Sequence, residues 1–182
     1  GRHIFSGGGI NMGCWQRLID LFRTKLKPAD QEFIETYLDE PGLFLFTQMS
    51  YSDQKHSIAM ARFLLEETEN LKGVDLQTLI QGALLHDVGK IKGEITRLNR
   101  IIVGVIRRLF PRSREKWGQR GKKRSLRHAI YVDLIHPSRG AYMAESLGID
   151  PKVVSLIKHH HDPKTDNVDL ELSLLKMADE KN

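Results

Sequence analysis

The stretch LQTLIQGALLHDVGK, residues 76–90, decides the fold of this chain. Its apolar residues repeat with the spacing of an α-helix, and Asp75 stands in front of it as a capping residue. His86 and Asp87 follow the apolar part directly, and Gly89 is expected to end the helix. Because the apolar face leads straight into this pair, an imidazole and a carboxylate are expected in the interior. These two groups hold borderline divalent metal ions in proteins.

Outward from this stretch, the chain divides into further helical segments. Apolar residues at helical spacing, capping residues, and breaking prolines and glycines define them. Helices are predicted at residues 12–25, 30–38, 76–85, 91–109 and 168–181, with others beginning at Ser52, His136 and Pro151. Residues 43–49 are interpreted as a short apolar link, and residues 112–127 as a mobile loop. Neither an internal repeat nor a convincing strand is present, so the predicted fold class is all-α.

Length and composition restrict the chain to one domain. Its 182 residues can bury about two-thirds of the unfolded surface without disulfides or a structural metal. Cys14 is the only cysteine, which excludes an internal disulfide and a thiolate cage and indicates a reducing, cytoplasmic setting. Residues 1–11 are expected to be vector-derived, residues 12–49 to form N-terminal helices, and residues 50–182 to form the main domain. No apolar stretch approaches the roughly 20 residues that cross a bilayer.

The basic residues are concentrated in one segment. Residues 90–127 hold 14 Lys or Arg and two acidic residues, whereas the whole chain carries a net charge of +5. Within this segment residues 91–109 predict an amphipathic helix with most of its arginines off the apolar face. This basic segment could steer an anionic substrate or dock on an anionic membrane or a protein partner. Nucleic acid is disfavoured, because Trp117 is the only aromatic side chain in the loop.

Histidine and aspartate recur on successive helical segments, and they are the candidate metal ligands. The candidates are His56, His86, Asp87, His136, His160, His161 and Asp179. A bundle that brings them together could hold one centre or two adjacent ones, with Asp87 able to bridge. An imidazole-rich set suits iron, manganese, zinc or nickel, and we expect iron or manganese. A polar core network without metal is the alternative, but burying these groups unpaired would cost several kcal/mol each.

Three motifs resemble the HD-domain phosphohydrolase superfamily, specifically its HDIG branch. His56 lies in YSDQKHSIAMARFL, the His-Asp pair in ALLHDVGK, and Asp179 in LLKMADEKN. The resemblance covers roughly residues 50–182, and it implies a single-domain helical bundle of the HD type with a metal site in its core. It also implies that the enzyme is a metal-dependent phosphohydrolase. The stretch between Asp87 and His136 is longer than is usual in the family, which implies a basic insertion at residues 92–127.

The resemblance assigns the ligands to two metal ions. In the family the first histidine, the His-Asp pair and the last aspartate hold one metal, which corresponds to His56, His86, Asp87 and Asp179. Two-metal members resemble this chain further, through HPSRGAYMAESLGI and IKHHHDP. That match implies a second metal on His136, His160 and His161. Aligning Asp162 with the family's glutamate selects the second and third residues of the histidine triplet and leaves His159 toward solvent.

Residues outside the ligand set are also assigned by this resemblance. Lys90 is similar to the family lysine that approaches the substrate phosphate, and Arg139, one turn after His136, could do the same. With Asp87 they form the predicted catalytic set. His128 matches nothing in the family and is expected on the surface. The implied substrate is a nucleotide or related small phosphoester, cleaved by metal-activated water. The alternatives are a di-iron oxygenase of the HD fold and a non-catalytic regulatory module that binds a nucleotide.

Overall fold

The computed structural model describes residues 26–163 and 169–181. The helix predicted at residues 12–25 and the stretch interpreted as vector-derived therefore lie outside the described residues. Within the described ranges the chain forms nine α-helices and no strand, with one isolated bridge between Met49 and Ile91. The helices are α1 (Pro28–Tyr37), α2 (Glu40–Gln48), α3 (Tyr51–Glu67), α4 (Leu76–Leu85), α5 (Arg97–Leu109), α6 (Arg114–Trp117), α7 (Leu126–Ser146), α8 (Pro151–His159) and α9 (Leu170–Lys181). The all-α prediction is confirmed.

Helix α4 lies at the centre of the bundle, where it packs against α3, α8 and α9. The Asp75 carboxylate caps its first turn by accepting from the Thr78 backbone N–H at 3.1 Å. Leu79, Ile80 and Leu84 are completely buried, and each contributes about 1.5–3 kcal/mol by leaving water. This packing fixes the carboxyl end of α4 in the core, so that the residues after Leu85 are interior residues.

Gly89 is required for close packing, and it does not end the helix as predicted. Helix α4 already ends at Leu85 with His86 as its C-cap, and a turn follows. A Cβ atom at Gly89 would overlap the backbone carbonyl of His136, and one at Gly140 would lie 3.0 Å from the Gly89 nitrogen. The two glycines therefore allow the turn after α4 to rest directly on the backbone of α7.

Two predictions on the N-terminal side are corrected by the structure. Residues 43–49, predicted as a link, lie almost entirely in helix α2, which the Asp39 side chain caps by accepting from Gly42 N–H at 3.0 Å. Helix α3 is capped by Ser50 and not by Ser52. In both cases a capping side chain two or more residues upstream of the predicted boundary satisfies the free N–H groups of the first turn.

The basic insertion also differs from its prediction. Helix α5 does not begin near residue 91, because Thr96 caps it by accepting from Asn99 N–H at 3.1 Å. Residues 112–127 are not one continuous loop, since they contain α6 and the first two residues of α7. Helix α7 starts at Leu126 and runs through the predicted boundary at His136 without interruption.

His128 is buried on the inner side of α7, which corrects the expectation that it lies on the surface. Its Nε2 atom lies 3.7 Å from Glu94 at the start of the insertion. Among the described helices, none combines the length and the apolar character that crossing a membrane requires.

Candidate metal centre

Seven side chains from five places in the chain meet in the core. They are His56 of α3, His86 and Asp87 after α4, His136 of α7, His160 and His161 after α8, and Asp179 of α9. Their ligand atoms form three overlapping groups, and within each group the atoms lie within 4.8 Å of one another. Such spacing suits a metal ion with ligand bonds of about 2.0–2.2 Å. All seven sequence-predicted ligands are therefore at one place.

The Asp87 carboxylate lies between the imidazoles of the two predicted ligand sets. Its Oδ1 atom is 3.5 Å from Nε2 of His86, 3.2 Å from Nε2 of His136 and 4.0 Å from Nε2 of His160. Nε2 of His136 and Nε2 of His160 are themselves 3.1 Å apart. This is the position of a carboxylate that could bridge two adjacent ions.

Asp179 of α9 lies close to histidines of both ligand sets. Its Oδ1 atom lies 3.4 Å from Nε2 of His56 and 3.7 Å from Nε2 of His86, and its Oδ2 atom lies 3.4 Å from Nε2 of His161. The two ligand sets are thus one continuous cluster, and the third histidine of the triplet belongs to it.

Three of the imidazoles are held in the same way, through Nδ1 and a backbone carbonyl three residues earlier. Nδ1 of His86 lies 2.8 Å from the carbonyl of Ala83, and Nδ1 of His160 lies 2.7 Å from that of Ile157. Both histidines follow the last turn of a helix, where the carbonyls have no further N–H donor. An Nδ1–H donor leaves the lone pair on Nε2, which faces the centre in each case.

His136 reaches the same geometry inside a helix because of the proline that follows it. Its Nδ1 lies 2.8 Å from the carbonyl of Asp133. In a regular helix that carbonyl would accept from the backbone N–H four residues later, which here is Pro137, a residue without an N–H. The proline therefore frees the carbonyl that orients the imidazole.

The buried atoms at the centre fit a bound cation. Nε2 of His86 is buried without a hydrogen-bond partner among the described residues, and the nearby Oδ1 of Asp87 is a second possible ligand atom. Leaving a buried imidazole nitrogen unpaired is costly, whereas this nitrogen is the atom that would ligate an ion. Burial lowers the pKa of His136 to about 4 and lowers the pKa of His160 well below its ordinary value. Both imidazoles are therefore neutral, the form that binds metal.

Lys90 pairs with the central carboxylate. Its Nζ lies 2.8 Å from Oδ1 and 2.9 Å from Oδ2 of Asp87. Burial by itself would raise the pKa of Asp87, but the neighbouring Lys90, His86 and His136 hold it well below its ordinary value. For Lys90, burial acts to lower the pKa, and the carboxylates of Asp87 and Asp133 raise it overall. The pair is therefore ionised, and Lys90 is charged where it lines a cleft.

Two clefts adjoin the centre, and helix α5 borders both of them. The first, about 310 Å³, is lined by His160, His161 and Asp179, and the second, about 380 Å³, by His56, Asp87 and Lys90. Arg107 of α5 and Asp179 line both clefts. The basic insertion thus covers the metal centre.

Sequence reasoning missed the arginines of this insertion as site residues. Nη1 of Arg107 lies 3.0 Å from Nε2 of His161, and Nη1 of Arg114 lies 2.8 Å from Oδ2 of Asp133. Arg100, one heptad before Arg107, binds Asp53 at the edge of the second cleft. Seven residues correspond to about two helical turns, so this spacing was the available signal that Arg100 and Arg107 share a face of α5.

Arg139 is not brought to either cleft. Its guanidinium donates to the carbonyl of Gly89 and pairs with Glu94, so it fastens the turn after α4 to the start of the insertion. His159 points away from the cluster, and its Nδ1 lies 2.6 Å from the half-exposed carboxylate of Asp162. The structure thus has His160 and His161 inside and His159 outside.

The HD domain family model matches residues 54–181, a range that includes every residue of the cluster. No curated protein and no solved structure matches the chain.

Proposed function

The chain belongs to the HD-domain family, whose members are generally metal-dependent hydrolases, and from this we propose that it is a phosphohydrolase with two metal ions. It would cleave a phosphoester bond of a nucleotide or related small phosphoester by metal-activated water. The observation that carries the proposal is the position of Asp87 Oδ1, within 4.0 Å of the imidazole nitrogens of His86, His136 and His160.

The residues present would divide into two ligand sets. His56, His86, Asp87 and Asp179 would hold one ion, and His136, His160 and His161 the other, with Asp87 shared. The nitrogen-rich set favours iron or manganese over calcium or magnesium. When bound, such ions supply a water of lowered pKa and neutralise charge on the phosphoryl oxygens.

The cations at the clefts have a defined part in this chemistry. Lys90 holds the Asp87 carboxylate in place and presents a charged ammonium to the second cleft, where it would contact a phosphate oxygen. Arg107 lines both clefts, and its planar guanidinium could bind two further phosphate oxygens. Both groups would stabilise negative charge that grows in the transition state. Arg139 would position the turn that carries Asp87 and Lys90, and would not contact substrate.

The clefts favour a small ligand over a polymer. Their volumes, about 310 and 380 Å³, are at the lower end of the range for small-molecule sites. Five lining residues are cations (Lys90, Arg100, Arg107, Arg114 and Lys176) and six are acidic, among them the candidate metal ligands Asp87 and Asp179. Metal ions bound at the centre would add positive charge to the clefts, and an anion would then be favoured. A nucleotide combines the required phosphate with a group of suitable size for the neighbouring cleft.

Metal analysis together with hydrolysis assays tests the proposal. The purified chain should contain about two transition-metal ions, and it should release phosphate from members of a panel of mono-, di- and cyclic nucleotides. Asp87→Asn should abolish turnover and lower metal content, because the amide carries no charge to hold two cations. Asp150→Asn is the matched control, since asparagine caps α8 as well as aspartate does.

Each outcome separates the candidate functions. Phosphate release that depends on Asp87 supports the phosphohydrolase. Bound metal without phosphate release, together with oxygen consumption, would favour the oxygenase, and nucleotide binding without turnover would favour a regulatory module. Full turnover by Asp87→Asn would refute the assignment of the centre.

A further inference from the structure

Helix α5 presents an apolar stripe to solvent on its outer face. Leu98, Ile101, Val105 and Leu109 follow each other at spacings of three and four residues and are 50–67% exposed. Beyond the helix, Phe110 and Trp117 are also exposed and contact each other at a tilt of 52°, with ring centroids 5.8 Å apart. These six residues, the outer stripe, form one continuous apolar surface on the basic insertion.

The fold itself does not require this stripe. Helix α5 packs on α7 through a narrow face, in which Val103 contacts Ala129 and Ile130. The opposite side of the helix from the stripe carries Arg107, which contacts His161 of the metal centre, and Arg100, which binds Asp53 at the edge of the second cleft. An apolar face usually packs against the core of a domain, whereas the orientation of α5 leaves the four apolar side chains of its outer face available to a partner.

Cations accompany the outer stripe on the basic insertion. Exposed basic residues occur on α5 and α6 and in the segments that follow each of them; they are Arg97, Arg108, Arg112, Lys116, Arg120, Lys122, Lys123 and Arg124. None of them forms an ion pair with another residue in the part of the chain that the structure describes. Glu115 is the one exposed acidic side chain between residues 92 and 127. The surface therefore combines exposed apolar side chains with an uncompensated positive border.

We propose that the insertion docks on a lipid bilayer with an anionic surface. The outer stripe would lie among the headgroups and upper acyl chains, and the basic border would contact lipid phosphates, as in other interfacial helices. A second copy of the chain is a poor occupant, because pairing two stripes would bring two positive borders together. This proposal does not depend on the reaction at the metal centre, although docking would hold α5, and with it Arg107, at the membrane surface.

Vesicle flotation with the full chain is the first measurement. At about 0.15 M salt the protein should bind vesicles of phosphatidylcholine and phosphatidylserine mixed about three to one, and should not bind phosphatidylcholine alone. The double substitution Val105→Asp with Leu109→Asp should weaken binding at least about tenfold, because it places two carboxylates in the inserted face. Neither residue lines a cleft, so metal content should stay unchanged.

The matched control is Leu71→Asp, which changes a leucine of similar exposure, 49%, in the turn between α3 and α4. It should bind vesicles like the wild type. If the aspartate variants fold poorly, Val105→Ser with Leu109→Ser gives the same comparison with less charge. Circular dichroism and metal content report on folding in both pairs.

Insertion is measured by the fluorescence of Trp117. With Trp15→Phe leaving it as the one tryptophan, brominated acyl chains in the same vesicles should quench its emission. Absence of binding to anionic vesicles would overturn the proposal, as would unchanged binding by the double aspartate variant. Binding without quenching would reduce the contact to surface adsorption and refute insertion. A wild-type dimer that dissociates in the double aspartate variant would show that a second copy of the chain covers the stripe. Binding of an acidic protein in place of vesicles would also overturn the membrane proposal.

Discussion

Replacing Pro137 by alanine should separate metal binding from folding. The proline has no N–H, so the Asp133 carbonyl is free to hold Nδ1 of His136 at 2.8 Å. Alanine restores the backbone donor four residues after Asp133, and that donor competes for the same carbonyl. The imidazole then loses part of its orientation, although every ligand remains in the chain.

The size of each effect follows from the local structure. Losing the partner that orients a ligating histidine typically costs about 10–100-fold in metal affinity. We expect the lower half of this range, because a carbonyl oxygen can accept two hydrogen bonds. For folding, alanine in a helix interior is about 3 kcal/mol more favourable than proline. Alanine lacks two methylenes of the buried Pro137 ring, and burial of each methylene contributes about 0.8 kcal/mol. The free energy of unfolding should therefore rise by no more than about 1.5 kcal/mol.

Two measurements test this expectation. Competition with a chromogenic chelator gives the affinity of each metal site, and thermal unfolding of the metal-free protein gives stability. Pro151→Ala is the control, because Pro151 occupies the first turn of α8, where a missing N–H costs nothing. Wild-type affinity at both sites in Pro137→Ala, with the fold intact, would refute the role of the freed carbonyl.

Three further predictions concern the cluster, the covering helix and the N-terminal packing. His160→Ala should lower metal content from about two to about one per chain, whereas His159→Ala should have little effect; the reverse result in elemental analysis would mean that the triplet is shifted by one. Arg107→Ala should lower kcat/KM for phosphoester substrates by roughly 10–100-fold, the usual value of a hydrogen bond to a charged group, and unchanged steady-state kinetics would exclude its contact with phosphate. Burial opposes ionisation of Asp30, but the neighbouring Lys55 and Arg62 lower its pKa below the ordinary 3.8. Its contribution to the free energy of unfolding is therefore present above about pH 4 and lost as the pH falls further. Asp30→Asn should accordingly weaken the dependence of this free energy on pH in the acid range, and an unchanged dependence would contradict the role of Asp30.

The sequence alone identified the architecture because the relevant signals are local. The apolar spacing of residues 76–85 and the capping Asp75 predicted α4, and the structure has the same bounds. Imidazole and carboxylate groups are recognised as candidate ligands by residue type. The sequence motifs that include His86 and His136 predicted, together with their neighbours along the chain, which residues are the candidate ligands.

Helix boundaries next to a proline could not be predicted from such local signals. A proline usually marks a first turn, which is why His136 was expected to begin a helix. The structure continues α7 through Pro137, since packing against the turn at Gly89 and the bond from His136 to Asp133 offset the lost backbone hydrogen bond. Whether a proline ends a helix or lies within it depends on contacts that are distant in sequence.

The orientation of α5 was decided by tertiary structure alone. Its sequence shows an apolar face and an arginine face, and periodicity cannot say which of them meets the domain. The carboxylates of Asp53 and Asp133 lie beneath the helix and bind its Arg100 and Arg107, and Asp133 also binds Arg114 of α6. Ion pairs in this partly buried position fix the arginines on the inner side of α5, and the stripe of Leu98, Ile101, Val105 and Leu109 is left in solvent. The sequence determined that the helix is amphipathic, but only the charges brought beneath it by other helices determined which side faces in.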